Sequence, residues 1–155
     1  MQLDTSAILW SAPERERAGR PLLVLLHGYG SHEGDLFSMS PGLPLGPVIA
    51  SVRAPVAESG GWAWWSREDS PSGNPPAERV DAAANAVIEW LDGLEYTSVS
   101  LLGFSQGASV GLDILGGGGG DVFECVQEDT PAMDRQTVPG KNGEYSFCSV
   151  EVEVE

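Results

Sequence analysis

The sequence predicts a layered α/β fold, a mostly parallel sheet with flanking helices, and three observations carry that expectation. The runs Pro21-Leu22-Leu23-Val24-Leu25-Leu26 and Val48-Ile49-Ala50-Ser51-Val52 are apolar without alternation, as strands covered on both faces are. Val80, Ala84, Val87, Ile88 and Leu91 then fall on one stripe at helical spacing. A third run, Thr97-Ser98-Val99-Ser100-Leu101-Leu102, leads through a short turn into a second helical segment, Ala108 to Leu115. Strand and helix in alternation argue for the α/β class.

Taken in order, Ala7-Ile8-Leu9-Trp10 is a short apolar run stopped at Ser11-Ala12-Pro13, and Glu14 to Gly19 is a solvated connection. The first buried strand stops at His27-Gly28-Tyr29-Gly30. Asp35 is placed to cap a short helix over Leu36-Phe37-Ser38-Met39, which Pro41 ends. The second strand runs out at Arg53-Ala54-Pro55, and from Glu58 to Pro76 the residues are those of a loop. Pro76 suits the first turn of the striped helix and Gly93 its stop. No internal repeat is found.

Composition narrows the functions. The 155 residues carry 23 acidic and 8 basic side chains, a formal net charge of −15. So acidic a surface repels phosphate, which argues against nucleic acid and anionic membranes as partners. No segment has the ~18–20 apolar residues of a membrane span, and Met1-Gln2-Leu3-Asp4-Thr5 lacks a signal-peptide layout. Cys125 and Cys148 are too few for a disulfide framework, which points to a reducing, cytoplasmic setting. Without histidine neighbours they offer no metal site.

The charge is uneven. Residues 1–115 hold 14 acidic and 6 basic side chains, and residues 116–155 hold 9 and 2. All five tryptophans precede residue 116, and both cysteines and the single lysine follow it. Five consecutive glycines, 116–120, stand at the junction, where neither helix nor strand interior is favourable. The expected organisation is a body over 1–115, a glycine linker over 116–120 and an irregular acidic tail over 121–155. Glu151-Val152-Glu153-Val154-Glu155 reads equally as an edge strand or a solvated terminus. A body of three or four parallel strands would leave one sheet edge uncovered, inviting an oligomer through that edge.

Two constellations carry chemistry. Gly103-Phe104-Ser105-Gln106-Gly107 is a G-x-S-x-G element between an apolar strand and a helix, the context in which it presents a nucleophilic serine. The serine must perch on a strained, sharp turn, and glycines two residues to either side remove β-carbons that would strike the neighbouring strand or helix. The following helix aims unpaired N–H groups at a developing oxyanion. His27-Gly28-Tyr29-Gly30 is the second: a glycine-rich turn after a buried strand supplies the other oxyanion donor in hydrolases of this layout. His27 precedes the serine, so it is assigned to holding this loop and not to proton transfer.

Four stretches in order then resemble one family. They are Leu25 to Leu36 (LLHGYGSHEGDL), Arg53-Ala54-Pro55-Val56, Gly61-Trp62-Ala63-Trp64-Trp65 and Leu102-Gly103-Phe104-Ser105-Gln106-Gly107-Ala108. Residues 1–115 resemble the N-terminal part of the phospholipase/carboxylesterase family of α/β-hydrolases, which includes acyl-protein thioesterases. The resemblance implies a serine hydrolase of small-molecule carboxylic esters or thioesters that needs no cofactor. It makes Ser105 the nucleophile and the backbone N–H groups of Tyr29 and Gln106 the oxyanion hole. Gly28, Gly30, Gly103 and Gly107 become structural glycines of the two loops. Trp62, Trp64 and Trp65 fall where that family lines or overhangs its acyl pocket, and a hydrophobic plug over the sheet edge is the alternative.

The pattern then breaks. A serine hydroxyl needs a positioned base, itself oriented by a carboxylate, and the family's chain order is Ser, Asp or Glu, His. His27 and His32 both precede Ser105, and no histidine follows it. Asp134-Arg135-Gln136-Thr137-Val138-Pro139 is one residue too long for the family's acid motif and too near Ser105. A truncation or reading-frame change near Leu115 is the expected origin of the foreign tail, and an impaired hydrolase the expected product. A non-catalytic remnant or acyl-binding module is the alternative.

Overall fold

The computed structural model describes residues 1–42, 46–70, 76–116, 133–140 and 143–150. Its strands are β1 (Leu9–Trp10), β2 (Arg20–Leu26), β3 (Val48–Val52), β4 (Val56–Glu58), β5 (Gly61–Ala63), β6 (Tyr96–Gly103), β7 (Met133–Gly140) and β8 (Gly143–Val150). Its α-helices are α1 (Glu33–Phe37), α2 (Ala77–Asp92) and α3 (Gln106–Gly116).

Six strands make one sheet in the order β1-β3-β2-β6-β8-β7. β2 is parallel to both β3 and β6, with Val24 between Ala50 and Leu101, and β8 is parallel to β6. Antiparallel strands rim this block, β1 against β3 and β7 against β8. The fold is the expected one, a mostly parallel sheet with helices against it.

The lack of alternation in β2 has a direct cause. Leu22, Val24 and Leu26 point to the face covered by α2 and α3, packing with Val87, Val110 and Ile114. Leu23 and Leu25 point to the other face, with Ile49, Leu102 and the α1 residues Leu36 and Phe37. Successive side chains leave a strand on opposite sides, so a strand covered twice must be apolar throughout. The α2 stripe is buried as expected at Val80, Ala84, Val87 and Leu91, with Ile88 packed beside it.

Several local expectations are corrected. α1 begins at Glu33, and its cap is His32, whose Nδ1 accepts from the Gly34 N–H at 3.0 Å. Asp35 instead accepts the Ser31 hydroxyl. Within the expected loop of 58–76, β4 and β5 form a hairpin closed by Ser59 and Gly60 at φ of 56° and 76°, the paired left-handed residues that a two-residue hairpin turn demands.

Two segments of the expected irregular tail are strands, β7 and β8, paired from Met133↔Val150 to Gly140↔Gly143. The sheet therefore continues past β6, and its outer strand on that side is β7. The glycines at 117–120, Cys125 and residues 151–155 lie outside the described residues. Among the described residues no helix is long and apolar enough to cross a membrane.

Candidate active site

β6 ends at Gly103 and α3 begins at Gln106, so Phe104 and Ser105 alone make the bend between them. Ser105 has φ of 54°, a left-handed conformation that costs a non-glycine residue about 1–2 kcal/mol. The surroundings impose it. The Phe104 N–H donates to the Leu26 carbonyl at 3.0 Å, and the Gly107 and Ser109 N–H groups donate to the Phe104 and Ser105 carbonyls at 2.9 and 3.2 Å. A β-carbon at Gly107 would lie 2.0 Å from the Leu26 oxygen, and one at Gly103 would lie 2.6 Å from the Gly107 oxygen. Only glycine permits this approach of α3 to β2, and the result is an exposed Ser105 side chain.

The loop after β2 meets the bend from the other side. A β-carbon on Gly28 would lie 2.9 Å from the Phe104 ring and 3.3 Å from the Ser105 β-carbon. His27 holds this loop. Its ring is buried, with Nε2 accepting the Ala54 N–H at 3.0 Å and Nδ1 2.8 Å from the Gly28 carbonyl. A carbonyl can only accept, so Nδ1 carries the proton and the ring is neutral. Burial lowers its pKa, outweighing the Gly28 carbonyl that favours the charged form. Gly30 follows with φ of 72°.

The third wall is residues 61–65. The Gln106 side chain clamps them, its Oε1 accepting the Trp64 N–H at 2.9 Å and its Nε2 donating to the Trp65 carbonyl at 3.1 Å. The three tryptophans separate. Trp64 is fully buried and donates its indole N–H to the His27 carbonyl at 2.8 Å, so it is a core residue. Trp62 lies beneath the Arg53 guanidinium at 4.6 Å, and Arg53 pairs through two nitrogens with Glu33. That pair holds Glu33 below the usual carboxylate range. Trp65 reaches the surface of the cleft.

A cleft of about 390 Å³ opens over the bend, lined by Tyr29, Trp65, Arg67, Ser70, Ser105, Gln106 and Ser109. Tyr29, Ser105 and Gln106, expected together from sequence, all line it. Among the described residues, neither the Tyr29 nor the Gln106 N–H donates to another backbone group. Arg67 and Ser109 were not foreseen. Arg67 stands over the Tyr29 ring at 4.4 Å, and Ser109 follows Ser105 by one helical turn, a spacing that could have flagged it. Burial raises the Tyr29 hydroxyl pKa, reinforced by its hydrogen bond to Glu58. His32 is occupied at the α1 cap, and Asp134 lies on β7 opposite Ser149. Among the described residues no three His, Cys, Asp or Glu side chains gather as a metal site would need.

The sheet order, the serine bend at the end of a parallel strand and the loop beside it define the α/β-hydrolase fold. The chain is similar to the carboxylesterase of Bacillus cereus at 22% identity and a TM-score of 0.57, covering 75% of this chain and 57% of that one. A carboxylesterase from Mesorhizobium loti matches at 22% identity and a TM-score of 0.58, covering 85% and 69%. A phospholipase/carboxylesterase from Dyadobacter fermentans matches at 22% identity and a TM-score of 0.52, covering 81% and 62%. The likeness is one of fold, and the chain spans about 57–69% of the length of these three structures. No family model and no curated protein matches the chain.

Proposed function

We propose that this protein is a serine hydrolase of small-molecule carboxylic esters or thioesters, with Ser105 as nucleophile and the Tyr29 and Gln106 N–H groups as oxyanion donors. The observation that carries the proposal is the left-handed Ser105, exposed in a cleft that Tyr29 and Gln106 also line. The carboxylesterase fold of the similar structures supports it. Donors fixed before reaction stabilise charge as it develops, and one such donor contributes about 10²–10³ in rate. The N-terminus of α3 adds its partial positive charge.

The hydroxyl lacks a base from within the described site. Both His27 nitrogens are engaged, His32 caps α1, and no histidine follows Ser105. Turnover is therefore slow, at the level of about 10³–10⁴ over water that an oxyanion hole and binding alone retain. We attribute the loss to a truncation or frame change near Leu115, with residues 1–115 the hydrolase-derived body, 116–120 a linker and 121–155 an acidic tail that supplies β7 and β8. Resequencing independent isolates tests that origin: an intact, shared frame overturns it.

The missing base also favours a second proposal, a non-catalytic module that binds acyl groups. Hydrolysis of 4-nitrophenyl butyrate separates the two. Slow turnover that Ser105→Ala reduces to the uncatalysed rate, with fluorophosphonate labelling of wild type alone, supports the hydrolase. A folded protein with neither turnover nor labelling supports the binding module. We also propose that copies associate through the outer edge of β7.

A further inference from the structure

We infer that the cleft selects esters bearing an anionic group, a carboxylate or phosphate, at the end away from the reacting carbonyl, and that Arg67 is the residue that selects them. The inference rests on the hydrolase proposal and adds the substrate's charge to it. The chain as a whole is strongly acidic, yet among the described residues the cleft is lined by one cation, Arg67, and by no carboxylate. Arg67 forms no ion pair among the described residues, whereas Arg53 and Arg79 are paired to Glu33 and Asp69.

Its position is fixed by a ring contact and a backbone hydrogen bond. The Arg67 guanidinium lies over the Tyr29 ring, and its backbone N–H is held by the Glu58 carboxylate at 3.0 Å. The other Glu58 oxygen accepts from the Ser66 hydroxyl. Glu58 also accepts the Tyr29 hydroxyl and feels the Arg67 charge, but among the described residues it lies outside the cleft lining. A stacked guanidinium keeps its edge donors available in a planar fork that matches a carboxylate or phosphate. Ser70 and Ser109 add hydroxyls to the same wall.

The test compares three esters: neutral 4-nitrophenyl butyrate, mono(4-nitrophenyl) succinate with the charge on the acyl side, and 4-carboxyphenyl butyrate with the charge on the leaving group. In Arg67→Gln the ratio of anionic to neutral kcat/KM should fall tenfold or more for at least one charged ester. Arg67→Lys should restore part of the ratio, and whichever ester responds shows which end Arg67 reads. A ratio unchanged in Arg67→Gln for both charged esters overturns the inference. If wild type hydrolyses none of the esters, the hydrolase proposal fails, and binding decides the inference separately. Saturable quenching of tryptophan fluorescence by glutarate that Arg67→Gln abolishes sustains the anion site, and no saturable quenching refutes it.

Discussion

His27 joins three segments through one side chain and its own carbonyl: the Gly28 carbonyl, the Ala54 N–H and the Trp64 indole. Burial depresses its pKa below the ordinary 6.5. Between the folded and unfolded values, the unfolded chain binds a proton that the folded protein refuses. Stability from this group is therefore full at neutral pH and declines as pH falls below about 6.5, by at most about 1.4 kcal/mol per unit. His27→Asn keeps a donor for Gly28 but orphans the buried Ala54 N–H, an expected cost of about 1–3 kcal/mol at pH 7. The gap between variant and wild type should narrow from pH 7 to 5, which urea denaturation at each pH measures. A constant gap would mean the ring does not resist protonation. The placement of Ser105, Tyr29 and Gln106 could be read from sequence because each sits in a motif that fixes its own local geometry. Arg67 could not, because only tertiary contact with Tyr29 brings it to the cleft.

At the scale of elements, the bend depends on how closely α3 approaches the end of β2. Gly107→Ala would drive a methyl group into the Leu26 carbonyl, and backbone on both sides leaves no rotamer to relieve it. A loss above about 3 kcal/mol is expected, among the largest effects single substitutions produce. Gly19→Ala is the control: its φ is 71° but nothing lies within 4 Å, so only the left-handed cost of about 1–2 kcal/mol applies. Equal losses for the two in chemical denaturation would remove close approach as the explanation. β2, β3, β6 and α2 were readable because burial on two faces, or on one stripe, writes a pattern into the residues. The β4–β5 hairpin was hidden by its short strands, although Ser59-Gly60 is a turn signal. The β7–β8 hairpin was hidden by the acidic composition around it, although Asn142-Gly143 is a strong hairpin cue.

For the molecule as a whole, net charge and sheet closure act against each other. β8 covers β6 on one side, which leaves β7 and the two-residue β1 as the outer strands. An outer strand of eight residues invites pairing with a second copy, whereas a net charge of −15 keeps copies apart. Repulsion between surfaces is screened by salt, with a Debye length of about 10 Å at 0.1 M. Light scattering should therefore show association that increases with sodium chloride. A monomer at every ionic strength would exclude the β7 edge as an interface.

The roominess of the hollow above residue 105 has a chemical consequence. A small diffusible heterocycle can enter a cleft that no histidine lines among the described residues, so buffer imidazole should act as a surrogate partner for the hydroxyl. Complementation of this sort would saturate as the hollow fills and would vanish with the alanine replacement at that position. Imidazole alone also cleaves activated esters in solution, so the diagnostic signal is curvature in its concentration dependence above that linear background.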